Sequence, residues 1–262
     1  MGFRERFQEH HRLVFGLVSV IAFFILWEFL LTYVFTLNTF FMSKPTLMAT
    51  AAKKLLVSGE LWKDLYISGR AFFFGFIGAV VVGIPVGVVM GWRRRVAFAL
   101  DPLLTAMYAS PLVALAPLLI VMFGVGVQGK AILIFLLAVF PFIFNAFAGV
   151  RSVEPLLINV VRSLGGKERD LYFKVILPST LPYIVAGARI AIGRGIVGII
   201  VGEFYAASEG IGHAIAWYGD MYLLSEMFVS ILVLMVIAVA FTEGLRWAQH
   251  AIAPWKATQE TR

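Results

Sequence analysis

Few residues in this chain could do covalent chemistry, and their spacing fits none of the common catalytic arrangements. The 262 residues include no cysteine, which removes thiol catalysis, thiolate metal sites and a disulfide frame. His10, His11, His213 and His250 lie at the ends of apolar runs or in polar intervals, with no HExxH or GxSxG nearby. Neither a zinc site nor an activated serine is legible, and no metal site is expected. Gly124-Val125-Gly126-Val127-Gln128-Gly129 matches GxGxxG. A dinucleotide site needs a strand before that motif and an acidic residue about 20 positions later. The next acidic residue is Glu154, across a whole apolar run, so this stretch predicts a tight turn. Gly165-Gly166-Lys167 lacks the spacing and hydroxyl residue of a phosphate-binding loop. The chain is therefore expected to bind no cofactor of its own and to be no enzyme.

What remains is charge placed in apolar surroundings. The composition is 61% hydrophobic and 14% charged, and the mean hydropathy is +0.91, outside the range of soluble domains. An integral, all-α membrane protein in the lipid bilayer follows. The 15% aromatic content suits interfacial belts and packed helices alike. The net charge of +7 sits in Lys and Arg clusters between apolar runs, so it reads as positive-inside topology and no nucleic-acid partner is expected. Glu28, Arg189 and Arg194 are ionisable residues that stand inside apolar runs. An arginine at membrane depth costs about 2.5 to 3.5 kcal/mol on insertion scales. Arg189 is near the end of its run and can snorkel. Arg194 is deeper; it serves either as a partner of helix carbonyls or as a lining residue of an anion path, and the residues alone leave both readings open. A membrane-embedded enzyme would need converging ligands that the chain lacks. An ion-coupled secondary transporter, with Glu28 and Arg194 as its candidate groups, is the stronger alternative.

The elements that must position these charges are about six spans, at 13–37, 71–92, 102–122, 131–150, 182–202 and 227–245, in one membrane domain covering 1–262. The first is basic before its apolar run, and its length with no small-residue cleavage site predicts a retained anchor. Residues 38–68 predict helices along the membrane surface, started at Pro45-Thr46 and broken at Gly59. The second span carries Gly75, Gly78, Gly83, Gly87 and Gly91, which permit close helix contact. Pro102, Pro111 and Pro117 interrupt or border the third, which requires protein rather than lipid around its backbone. Basic residues at Arg4, Arg6, Arg12, Arg93 to Arg95, Arg151 to Lys174, Arg246, Lys256 and Arg262 place both termini and the 151–181 loop in the cytoplasm.

Within that loop, Asn159 to Pro178 is a charged island holding Arg162, Lys167, Glu168, Arg169, Asp170 and Lys174. Gly165-Gly166 predicts a stop to a first helix through positive φ, and a second short helix then ends before Pro178. Val160, Val161 and Leu164 share a face of the first helix. This stretch resembles the EAA coupling loop of permease subunits of ATP-binding-cassette importers. That pattern is Glu-Ala-Ala, three residues, Gly, nine residues, Ile-x-Leu-Pro; Gly165, Leu177 and Pro178 fall at its spacing, Val175 stands for the Ile, and Asn159-Val160-Val161 replaces the triplet, without its acid. Residues 26 to 247 resemble the nitrate, taurine and aliphatic-sulfonate branch, which also includes importers of thiamine-precursor pyrimidines. The segments that carry this are Arg162-Ser163-Leu164-Gly165, Ser68-Gly69-Arg70, Asp101-Pro102-Leu103-Leu104, Ala116-Pro117-Leu118-Leu119, Val201-Gly202-Glu203 and Glu209-Gly210-Ile211-Gly212. Tyr108-Ala109-Ser110-Pro111 departs from the Arg-Pro-x-Pro common among sulfonate members.

The resemblance implies a type I importer permease fold in the inner membrane, paired as a homodimer. It also implies two ATP-binding subunits that carry ATP and magnesium, and an extracytoplasmic substrate-binding protein. Asn159, Arg162, Ser163, Leu164, Gly165, Gly166, Leu177 and Pro178 become the ATPase-coupling residues. A path for a small anionic or polar solute is expected among spans three to five, at Pro111, Asn145 and Arg194.

Overall fold

A computed structural model describes residues 3–34, 42–206 and 208–252. All regular structure among them is helical: α1 (Phe3–Phe29), closed by a π turn (Leu30–Val34), α2 (Pro45–Ser58), α3 (Glu60–Trp92), α4 (Arg94–Ala109), a 3₁₀ turn (Leu112–Leu115), α5 (Ala116–Phe123), α6 (Val127–Arg151), α7 (Pro155–Ser163), α8 (Glu168–Leu171), a π turn (Tyr172–Ile176), α9 (Leu177–Ala206), α10 (Ile211–Asp220) and α11 (Leu224–Ile252). Among the described residues, five helices are long and apolar enough to cross a membrane, or six if the bent pair 94–109 and 112–123 counts as one span. The chain packs as two compact units, residues 1–62 with 214–232 and residues 63–213 with 233–262.

In the first unit, α1 exposes Phe15, Leu17, Phe23 and Ile25, an apolar surface suited to lipid. Glu28 accepts from the Thr46 backbone N–H at 3.1 Å and the Thr46 hydroxyl at 3.0 Å. The carboxylate thus serves an orphan donor of the first turn of α2, where its negative charge also suits the helix dipole. Hydroxyls of Ser43 and Ser225 meet at 2.8 Å, Lys54 pairs with Glu226 at 3.5 Å, and Trp27 packs edge-on to Phe228. Glu28 is accounted for as a cap.

The second unit is organised around α6. Leu133, Ile134, Leu137, Ala138, Val139, Phe140, Phe142, Ile143 and Ala146 are all buried, so the helix is enclosed on every side. The glycines of α3 are what allow it to approach. A Cβ at Gly75 would fall 2.5 Å from the Ala131 carbonyl oxygen, and at Gly83 2.8 Å from that of Val139. On the other side α9 meets α6 through Gly187, where a Cβ would fall 2.9 Å from the Pro141 carbonyl, and through Gly198 against Ile134. Small residues at a seam let backbones close to contact, which is how helices gain dispersion energy in lipid.

The helices depart from the expected spans in three places. Residues 60–70 continue α3 instead of lying separately along the surface. Gly59, at φ +81°, makes the break between α2 and them, and Ser68 is drawn inward by buried partners. The third span begins at Arg94 rather than Pro102, and its two halves meet at 77° around Ser110-Pro111. Pro111 offers no N–H to continue the first helix, and Ser110 before it is extended at ψ 147°. Pro178 does not end a helix: it sits in the first turn of α9. The π turn just upstream, in which the Leu177 N–H reaches Tyr172 O, shifts the ladder where the proline ring would meet the Lys174 carbonyl.

Candidate functional site

The charged island folds as the helix–turn–helix that its punctuation requires. Gly165 has φ +74°. The Gly166 N–H reaches Val161 O at 2.9 Å and the Gly165 N–H reaches Arg162 O at 3.0 Å, the paired bonds of a Schellman stop. Asp170 then accepts from the Lys167 backbone N–H at 3.1 Å, opening α8. Arg162 pairs with Glu168 across the turn at 3.3 Å, and Lys174 with Asp170 at 2.8 Å. Val160, Val161 and Leu164 do not share one environment. Val161 and Ile158 pack with Leu171, Ile176 and Val150, while Leu156, Leu157, Val160 and Leu164 face outward. No residue of α7 is buried, and Leu164 is 82% exposed. Asn159, Arg162, Ser163 and Gly165 are exposed with it, whereas Leu177 and Pro178 are half-buried where α9 begins.

The candidate path residues separate by environment. Arg194, near the middle of α9, donates to the Tyr108 hydroxyl at 2.9 Å, with its guanidinium carbon 4.6 Å from that ring's centroid. Tyr108 is itself wedged against Phe140 and Phe144 of α6. Asn145 turns back to its own helix, donating to Pro141 O at 2.8 Å in the α6–α9 seam. Pro111 is exposed at the break between α4 and the 3₁₀ turn. Arg189 does not simply snorkel: it donates to Gln249 Oε1 of α11.

A further cluster lies at the opposite end of α9 from the charged loop, ~40 Å from Pro178 at the helical rise. Lys130 at the start of α6 pairs with Glu203 at 3.1 Å, the two side chains 7% and 0% exposed. The Ser68 hydroxyl lies 2.9 Å from both Glu203 oxygens, and the Gly212 N–H donates to one of them at 2.8 Å. Ser68 Oγ in turn accepts from the Ile211 N–H at 2.9 Å, and Lys130 also donates to Glu209 O at 3.2 Å. Asp64 accepts from the Gly210 N–H at 3.1 Å. Side chains of three helices thus hold the backbone of 209–212, and the Gly212 N–H in the first turn of α10 points at the buried carboxylate, an arrangement the helix dipole favours. At the rim, a hydrogen bond from Lys63 at 2.7 Å holds the exposed Glu209 carboxyl below its usual range. Reading the sequence alone missed this cluster. Ser68, Lys130 and Glu203 are far apart in the chain, and although Ser68-Gly69-Arg70, Val201-Gly202-Glu203 and Glu209-Gly210-Ile211-Gly212 stand out as segments of the resemblance, nothing in them says that they meet around Lys130.

With this geometry in place, comparison with known proteins decides the family. Residues 83–257 match the family model of the binding-protein-dependent transport system inner membrane component. The chain belongs to this family. The taurine transport system permease protein of Escherichia coli (strain K12) is 33% identical over 209 residues, covering 80% of this chain and 76% of that protein. The putative aliphatic sulfonates transport permease protein of Bacillus subtilis (strain 168) is 32% identical, covering 82% and 78%. The formylaminopyrimidine transport permease protein of Halalkalibacterium halodurans is 29% identical, covering 71% and 74%. Among solved structures, a chain of the MetNI methionine ABC transporter in an inward-facing conformation superposes with a TM-score of 0.61 at 21% identity, covering 80% of this chain and 99% of that one. The fold is that of an ABC importer permease, and the chain is a multi-pass inner-membrane component of a binding-protein-dependent importer. The ion-coupled alternative falls with this membership, and Glu28, one of its two candidate groups, is a helix cap.

Proposed function

We propose that this chain is the membrane-spanning half of an importer that carries a small anionic or polar solute, of the taurine, sulfonate or thiamine-precursor kind, into the cell by alternating access. The observation that carries the coupling is the α7 loop: a rigid Schellman-ended turn that leaves Leu156, Leu157, Val160 and Leu164 exposed beside Arg162 and Glu168. An apolar face on a short, charged helix suits a groove on a soluble partner. In this reading two ATPase subunits, holding ATP and magnesium, take up Asn159 to Pro178 of each copy of a homodimer. An extracytoplasmic binding protein delivers solute to the far end. The hydrolysis cycle moves the loop, and the permease converts that movement through contacts that differ between its two states. Arg194 lies on the path; Asn145 holds the α6–α9 seam beside it.

The test is uptake into proteoliposomes of the solute recognised by the partner binding protein. Uptake is expected only with ATP and binding protein both present. Uptake sustained by a proton or sodium gradient without them would overturn the reading. Orientation is checked separately: single cysteines at Arg94 and Lys167 should resist an impermeant thiol reagent in intact cells, because both belong to the cytoplasmic basic set. Labelling of either from outside reverses the topology.

A further inference from the structure

Lys130, Arg189 and Arg194 all stand in helices of the second unit, and they differ in how they are compensated. Lys130 has Glu203, and Arg189 has the Gln249 amide oxygen. Arg194 has, among the described residues, only the Tyr108 phenol and ring, with no carboxylate in ion-pair reach. Its guanidinium carries five N–H donors, of which the phenol takes one. The surface around it is open. Ile190, Gly193, Val197 and Phe204 lie on the same stripe of α9 as Arg194 and are exposed, and nothing approaches within 4 Å of a Cβ placed on Gly193. A lipid-facing charge at mid-helix is costly, so Arg194 must face water or protein rather than lipid. The phenol adds direction: its oxygen accepts from Arg194, which leaves its own O–H to donate toward whatever the guanidinium attracts. Phe140 and Phe144 fix the ring from behind.

We propose that Arg194 and the Tyr108 hydroxyl together form a subsite, midway along α9, for the oxoanion head of a small monovalent solute, a sulfonate or a carboxylate. That this anion is the transported solute rests on the importer reading above; the site itself can be measured without ATP or any partner. The second donor to the anion is here the neutral Tyr108 phenol.

The experiment uses the full chain in nanodiscs of zwitterionic lipid, with trifluoromethanesulfonate as a fluorine NMR probe and methanesulfonate as competitor. Line broadening that methanesulfonate reverses and that neutral trifluoroethanol does not show is the expected result. Arg194→Gln should weaken it at least about tenfold, the scale of a lost charged hydrogen bond. Tyr108→Phe, which keeps the ring contact, should weaken it about threefold. Arg194→Lys should fall between, since it keeps the charge and loses the planar fork. If Arg194→Gln does not assemble, the other two variants carry the test. The proposal is overturned if the wild-type chain shows no competable broadening, or if the variants leave it unchanged. It is equally overturned if Arg93→Gln, Arg94→Gln and Arg95→Gln together abolish the broadening, which would place the anion on the surface. Failure of ATP-driven uptake with intact probe binding would instead count against the importer reading and leave the subsite standing.

Discussion

Lys130→Met is expected to be the most damaging single change to stability in this chain, lowering it by about 3 to 5 kcal/mol. The substitution leaves Glu203 fully buried with Ser68 and the Gly212 N–H as its remaining donors. It also frees the Glu209 carbonyl that Lys130 holds. An uncompensated carboxylate in that setting either stays charged at high cost or takes up a proton and loses the geometry of its bonds. The double variant Lys130→Met with Glu203→Gln should recover most of the loss. A neutral amide oxygen still accepts from Ser68 and Gly212, and no charge is left without a partner. Thermal unfolding in detergent, followed by loss of the monodisperse species, is the measurement. The single variant is expected to unfold about 5 to 10 °C below the wild type, with the double variant recovering at least half of that interval. Equal losses in the two variants would mean that the charges are not coupled and that the cluster acts through packing alone.

Local features were legible in the sequence; features made by distant residues were not. Gly165-Gly166 announces its stop because a Schellman turn is written in adjacent residues, and the glycines of α3 announce a close seam because their spacing keeps them on one side of a helix. The cluster of Ser68, Lys130 and Glu203 carries no local pattern: each residue sits near the end of a different helix and acquires meaning only when α3, α6 and α9 align. Pro178 misleads for a related reason. A proline normally stops a helix because of the carbonyl four residues back, but the π turn at Tyr172–Ile176 moves that carbonyl aside, and a π turn has no clear sequence signature. Hydropathy likewise gives one span over 102–122 because it averages across Ser110-Pro111, where the backbone turns by 77°. Arg194 was identifiable as an isolated intramembrane charge, yet its partner, Tyr108, stands on another helix and was visible only as a departure from the family pattern.

Gly165→Val is expected to abolish most transport while leaving the membrane helices intact. The argument is confined to the backbone, since a Cβ at Gly165 would meet nothing within 4 Å. At φ +74° an L residue pays about 1 to 2 kcal/mol for the left-handed region, and a β-branched one stands at the upper end. Relief comes by rotating φ to negative values, which breaks the Gly165 N–H and Gly166 N–H bonds to Arg162 and Val161 and swings α8 relative to α7. The exposed face of Leu156, Leu157, Val160 and Leu164 then no longer stands in a fixed relation to Arg162, Glu168 and the start of α9. Docking of the ATPase subunit, read by co-purification, should weaken together with uptake. A graded series separates strain from side-chain contact: Gly165→Asn should be tolerated, because Asn enters the left-handed region most readily of the larger residues, with Gly165→Ala intermediate and Gly165→Val the worst. Gly59→Val imposes the same strain at φ +81° between α2 and α3 and serves as the control. It should leave co-purification unchanged, because the residues proposed to face the ATPase lie elsewhere. If Gly165→Val and Gly59→Val depress co-purification equally, the loss reflects general destabilisation. If Gly165→Val leaves docking and uptake normal, the α7–α8 turn is an ordinary connector and coupling must run through another part of the same face.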